Sequence, residues 1–202
     1  MFSLFSPVDI RRTRDTALAN LETLILAITS RLFILRHHPS FPDPELAPEK
    51  DALNCIRILT RILPFIYEAD SLEGWEEKFF WAVRRKRTRK GKLSKPEVLF
   101  DEAHPEVDGE EKQQQQEEEE FEDAKPLAEE LIDTLIDMLF FAGFTLPINE
   151  RSKSKVTYSI WQSGVGCNTP MSSSKELESN RTEILRLLLT FSSKSMYTPA
   201  RQ

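Results

Sequence analysis

RDTALANLETLILAITSRLFILR, residues 14–36, is the stretch whose reading decides the fold. Leu18, Leu21, Ile25, Ile28, Leu32 and Leu35 follow one another in steps of three and four, which holds them on one stripe of an α-helix. Leu24, Leu26, Phe33 and Ile34 widen the stripe past what a surface helix uses. Such a helix must be covered on more than one side, so other helices have to pack on it. His37, His38 and Pro39 end it, because the residue before a proline resists the α region.

Working outward, Pro39, Pro42, Pro44 and Pro48 make residues 39–48 a stiff connector. A second helix is expected over 49–67, with Ala52, Ile56, Leu59, Leu63 and Ile66 as its stripe and Leu53, Ile58 and Ile62 beside it. Arg57 and Arg61 fall on the opposite face, and Pro64 is predicted to kink the last turn. Residues 75–83 then gather Trp75, Phe79, Phe80 and Trp81, either as core, the commoner use, or as a face for a partner. The helical pattern returns after Pro126, where Leu127, Leu131, Leu135 and Leu139 oppose Glu129, Glu130, Asp133 and Asp137, and Gly143 and Pro147 are expected to stop it. Residues 156–161 alternate like a short extended segment. Ser174 is placed to cap a last helix over 175–194, carrying Leu177, Ile184, Leu188 and Phe191. The fold class read from these patterns is all-α, an armadillo- or HEAT-like α-solenoid fragment of four long helices; the sequence carries no clean repeat.

Charge is segregated sharply between the helical parts. Residues 84–95 hold eight Lys or Arg and no acid, and residues 97–123 hold thirteen Asp or Glu against one Lys. Sequence of this kind buries too little apolar surface to order itself. The expected organisation is therefore a helical block over 1–83, a disordered basic-then-acidic loop over 84–124, and a second helical block over 125–202 that packs on the first within one incomplete solenoid domain.

Several function classes are disfavoured. A net charge of −6 argues against nucleic acid as a partner of the whole chain. Cys55 and Cys167 stand in no CxxC pair and have no His at ligand spacing, so neither a disulfide framework nor a zinc site is expected. Cys55, among Ile56, Ile58 and Leu59, reads as a small buried hydrophobe. Gly164-Val165-Gly166 lacks the third glycine of a phosphate loop, and no nucleophile elbow or zinc helix is present. No catalytic residue, cofactor, metal or small-molecule substrate is expected, and the acidic face at 129–137 and the histidines at 37–38 read as a solvated helix face and a helix terminus. No uninterrupted apolar run approaches the ~18 residues that span a bilayer. Phe2 stands where N-myristoylation needs glycine. The Asn180-Arg181-Thr182 sequon reads as chance, since no secretory signal accompanies it.

The basic run Arg84, Arg85, Lys86, Arg87, Arg89 and Lys90 is the most suggestive local feature, a candidate contact for an anionic surface. Its other readings are a solvated flank lying loosely against the acidic tract and a nuclear or nucleic-acid signal. The acidic neighbour would compete with any phosphate for the same cations.

Longer words then become legible. NLETLILA at 20–27, LNCIRILTRILPFIYE at 53–68, WEEKFFW at 75–81, SIWQSGVGC at 159–167 and NRTEILRLLL at 180–189 resemble the family of the high-temperature-induced dauer-formation protein, a relative of dymeclin, in its fungal branch. The resemblance covers nearly all of the chain outside the charged loop. It implies a large, non-enzymatic cytosolic scaffold, peripheral on Golgi and secretory membranes, that supports protein sorting and vesicle traffic through protein partners. The chain departs from the family in lacking a glycine-containing start and in being several times shorter, so an N-terminal fragment of the solenoid is expected. The competing reading is a generic helical adaptor, nuclear through the basic run at 84–92.

Overall fold

The computed structural model describes residues 6–88, 120–148, 154–158 and 174–197. The described chain is mostly helical and divides into two compact units, one formed by residues 1–82 with 126–202 and the other by 83–125.

The first unit opens with α1 (Pro7–Thr16). Ser6 caps it, accepting from the Asp9 amide at 3.2 Å, while the Asp9 carboxylate accepts from the Ser6 amide at 3.2 Å. This reciprocal box satisfies two amides that the first helical turn leaves unpaired, and Pro7 loses nothing at the first helical position. The sequence reading began the first helix at Arg14. The chain instead breaks at Ala17 (φ −147°, ψ 54°) and restarts as α2 (Leu18–His37). No proline or glycine marks that break, and α1 buries only Ile10, so apolar periodicity could not show it.

Helix α2 buries Leu21, Ile25, Ile28, Leu32 and Leu35, and Thr29 returns its hydroxyl to the Ile25 carbonyl at 2.9 Å. With 20 residues and a mean hydropathy of 1.6 it is long and apolar enough to cross a membrane; here it packs as a core helix against α1 and α3 (Glu49–Tyr67). In α3 the buried side chains run from Ala52 to Tyr67 and spread over about half the helix circumference. Helix α2 packs on α3, and so does α6 (Lys175–Ser192) from the far end of the chain. Arg57, read as facing away from the core, reaches Glu183 of α6 at 3.4 Å. The helix runs on through Pro64 to Tyr67. Cys55 is buried as expected, and burial, followed by the nearby Asp51 charge, pushes its thiol up to about 11.

After α3 come a 3₁₀ turn (Asp70–Leu72), the short α4 (Glu73–Glu76) and one π turn (Glu77–Trp81). Helix α5 (Leu127–Leu139) follows Pro126 and packs on α2 and α6. It ends at Leu139, ahead of the expected stop, and Gly143 serves in the following turn at φ +83°, where a Cβ would also meet the Pro42 ring at 3.4 Å. Phe41, Phe141 and Phe144 pack edge-on at 5.1 and 5.2 Å around that turn. Val156 bridges to Phe141; the rest of the expected extended segment, 159–161, lies outside the described residues. Ser174 caps α6, accepting from the Leu177 amide at 3.2 Å, and the short α7 (Lys194–Tyr197) follows.

Polar clamps tie these helices together. Glu68, at the end of α3, accepts from Arg11 at 2.6 and 2.9 Å and from Arg14 at 2.9 Å, while Arg14 also donates to the Phe65 carbonyl at 2.6 Å. Asp137 of α5 receives both Arg36 and the Tyr158 hydroxyl. Asn180 and Arg181, buried in α6, donate at 2.9 Å to the carbonyls of Phe144 and Thr145. The Asn180 amide of the apparent sequon is thus a buried structural donor.

The second unit spans residues 83–125. β1 (Arg84–Thr88) and β2 (Glu120–Ala124) pair antiparallel, so the ends of the segment expected to be disordered form a ladder; the intervening 89–119 lie outside the described residues. Apolar alternation is absent from both strands, which is why a period-2 search passes over them.

Two outcomes follow. Leu59, fully buried in α3, should cost roughly 2–5 kcal/mol on replacement by Ala, read from denaturant unfolding. The hydrogen bond from Arg11, helped by Arg14, holds the Glu68 carboxyl below its ordinary value. The stability Glu68 contributes is therefore complete above the ordinary Glu range near ~4.3 and is lost as pH falls through the lower folded value. Thermal melts should find Glu68→Gln less stable than the parent at neutral pH, with the gap closing in acid.

Candidate functional site

Of the six basic residues singled out, Arg84, Arg85, Lys86 and Arg87 lie on β1, and Arg89 and Lys90 fall outside the described residues. The register sets Arg85 opposite Asp123, Lys86 opposite Glu122 and Arg87 opposite Phe121. Four cations therefore face a strand carrying three acids. Arg84 donates through Nε to the Lys125 carbonyl at 3.0 Å, which closes the base of the hairpin.

The helical unit holds a second site, a cleft of about 340 Å3 where α3, the π turn, α6 and α7 meet. The sequence reading placed the aromatic cluster at 75–81 either in the core or on a partner face, and its members divide between the two. Phe80 is buried, edge-on to Phe79 at 5.0 Å and to Phe191 at 5.8 Å. Trp75 stacks on Phe79 at 4.9 Å and donates its indole N–H to Glu22. Trp81, by contrast, is 50% exposed and lines the cleft. A π turn is a frequent feature of functional sites.

Deep in the cleft wall lie Tyr67 and Glu76, 4% and 5% exposed. Lys194 of α7 reaches one Glu76 oxygen, Oε2, at 2.9 Å. Burial, then the Glu76 charge, pushes the Tyr67 phenol well above its ordinary value, so it stays protonated at any physiological pH. Glu73 and Glu77 also line the cleft. Sequence reasoning singled out neither Tyr67 nor Glu76, because one ends an apolar stripe and the other sits among charged neighbours; no local pattern joins them.

The remaining candidates take structural roles. Among the described residues no group of His, Cys, Asp and Glu is arranged to hold a metal ion, and Asp137 of the acidic α5 face is engaged by Arg36 and Tyr158. His37 sits at the end of α2, where partial burial and then Arg36 lower its pKa against the opposing pull of Glu130, so it is neutral at pH 7.

Comparison with known proteins places the chain. The family description "High-temperature-induced dauer-formation protein" matches residues 1–202. The chain belongs to this family. The Ubp5-interacting protein ftp105 of Schizosaccharomyces pombe is 37% identical over 245 aligned residues, covering 98% of the chain and 26% of that protein. Protein HID1 of Homo sapiens is 30% identical over 208 residues, covering 98% of the chain and 22% of that protein. The chain thus spans about a quarter of the length of the curated relatives it matches. No solved structure matches it. The family membership agrees with the resemblance read from the words at 20–27, 53–68, 75–81, 159–167 and 180–189.

The paired charges of the hairpin lead to a direct check. Glu122→Lys with Asp123→Lys sets like charges opposite Lys86 and Arg85. Amide exchange at residues 84–88 should accelerate about tenfold, equivalent to roughly 1.4 kcal/mol, while the melting temperature of the helical unit stays where it was.

Proposed function

We propose that the chain is part of a non-enzymatic helical scaffold that serves Golgi and secretory membranes by holding other proteins there. One observation carries the scaffold reading: helices whose inner faces fill the core also present large apolar side chains outward. Leu26 and Ile34 are exposed on α2, eight residues apart on one stripe, and Leu185 and Leu189 are exposed on α6, one turn apart. A helix apolar on two faces is suited to stacking between neighbours, which is the construction of an armadillo- or HEAT-like solenoid. Outward aliphatic stripes of this kind serve protein contact better than chemistry.

Family membership supports the setting. The Schizosaccharomyces pombe relative is named for interacting with Ubp5, and protein binding is the role the exposed faces here suit. The Golgi and secretory location rests on what the family resemblance implies. The competing reading, a nuclear adaptor working through the basic run, has less support, because Arg85 and Lys86 stand in register with Asp123 and Glu122.

The test is microscopy of a tagged chain in fungal cells together with membrane fractionation. The expected outcome is punctate signal coincident with a Golgi marker, released from membranes by high salt or carbonate without detergent. Signal concentrated in the nucleus would overturn the reading in favour of the adaptor.

A further inference from the structure

The cleft wall contains two buried polar atoms that the fold leaves unsatisfied. Tyr67 is 4% exposed, and among the described residues its hydroxyl has no hydrogen-bond partner. Glu76 is 5% exposed and its Oε2 takes Lys194, while its Oε1 has no partner among the described residues. Buried polar atoms are almost always paired, because each orphan loses its hydrogen bonds to water without gaining one in the fold. Two orphans in the wall of one cavity point to an occupant that supplies donors.

The rest of the lining narrows its chemistry. Glu76 and Glu77 outweigh Lys194, so the occupant is cationic. Trp81 stands half-exposed at the same cleft and offers a π face to a cation. A volume of about 340 Å3 has room for one long side chain. We propose that this cleft is a recognition pocket for a single arginine side chain projecting from a partner protein. Guanidinium fits the lining better than ammonium does. It is planar, so it stacks on Trp81, and its forked donors serve Glu76 Oε1 and the Tyr67 hydroxyl together. Its aliphatic stem lies against Phe80 and Phe191. No bond is made or broken, and the pocket's chemistry holds whichever membrane the protein serves.

The test is an NMR titration of the whole chain with a capped Gly-Gly-Arg-Gly-Gly peptide. Saturable shifts are expected at the Trp81 indole and at the Glu76 and Glu77 amides, with a dissociation constant in the millimolar range that a single side chain supplies. The same peptide carrying citrulline, which keeps the shape and removes the charge, should bind at least about tenfold more weakly, as should Trp81→Ala with the arginine peptide. Tyr67→Phe should weaken binding severalfold and leave the melting temperature of the peptide-free chain unchanged or raised, since it deletes a hydroxyl that the fold does not use. The proposal falls if arginine and citrulline peptides bind alike, if neither shifts Trp81, or if Tyr67→Phe lowers the melting temperature. That last result would show the hydroxyl to be satisfied within the fold, or by a bound water.

Discussion

Burial of α3 is the constraint on which the rest of the structure depends. Its apolar side chains occupy about half the helix surface, too wide an arc for one neighbouring helix to cover. Helix α2 covers one part, and the other part takes α6, which lies more than a hundred residues further along the chain. The helical unit is therefore built from both sides of the charged segment. The free energy that closes it is the removal from water of side chains such as Ile56, Leu59 and Leu63, each fully buried. The closure entropy of so long an intervening segment grows only with the logarithm of its length, so the core tolerates the insertion.

Hydrophobic burial does not choose among the ways in which helices can pack, and the polar clamps narrow that choice. Glu68 with Arg11 and Arg14 sets the angle at which α1 meets the end of α3. Asp137 with Arg36 aligns α5 against α2. Asn180 and Arg181 hold the turn after α5 against α6 by meeting carbonyls that would otherwise be buried without partners. The last clamp is specific because a wrong packing would leave the buried Asn180 and Arg181 donors unpaired, at a cost larger than the bond's own net contribution. The cleft by the π turn departs from this rule. Among the described residues the Tyr67 hydroxyl and Glu76 Oε1 lack a hydrogen-bond partner in its wall, as the buried Thr134 hydroxyl does in α5.

The two units use charge in different ways. In the hairpin, a basic strand and an acidic strand run antiparallel, with Arg85 and Lys86 in register with Asp123 and Glu122. At the cleft, Glu76 takes Lys194 while Glu77 lines the same cavity beside the half-exposed Trp81. The second arrangement combines charge, shape and directed acceptors in one small volume.

Much of the helical unit could be read without coordinates. The stripes at 18–35, 52–66 and 127–139 and the cap at Ser174 are local, and periods of three and four report directly which side chains leave water together. Family membership was legible for a related reason, because words such as LNCIRILTRILPFIYE and WEEKFFW are long enough to be specific. What local pattern could not carry was decided in three dimensions. The break at Ala17 has no breaker residue, since the docking of Arg11 and Arg14 on Glu68 sets where α1 turns away. The ladder at 84–88 and 120–124 joins residues separated by thirty-one others, through backbone pairing and opposite charges and without an apolar period. The pocket of Tyr67, Glu76 and Trp81 draws on α3, the turn after it and two helices from the end of the chain. Periodicity in a sequence records which face of an element is buried; which elements share that burial, and which polar atoms they strand between them, depends on contacts between distant residues.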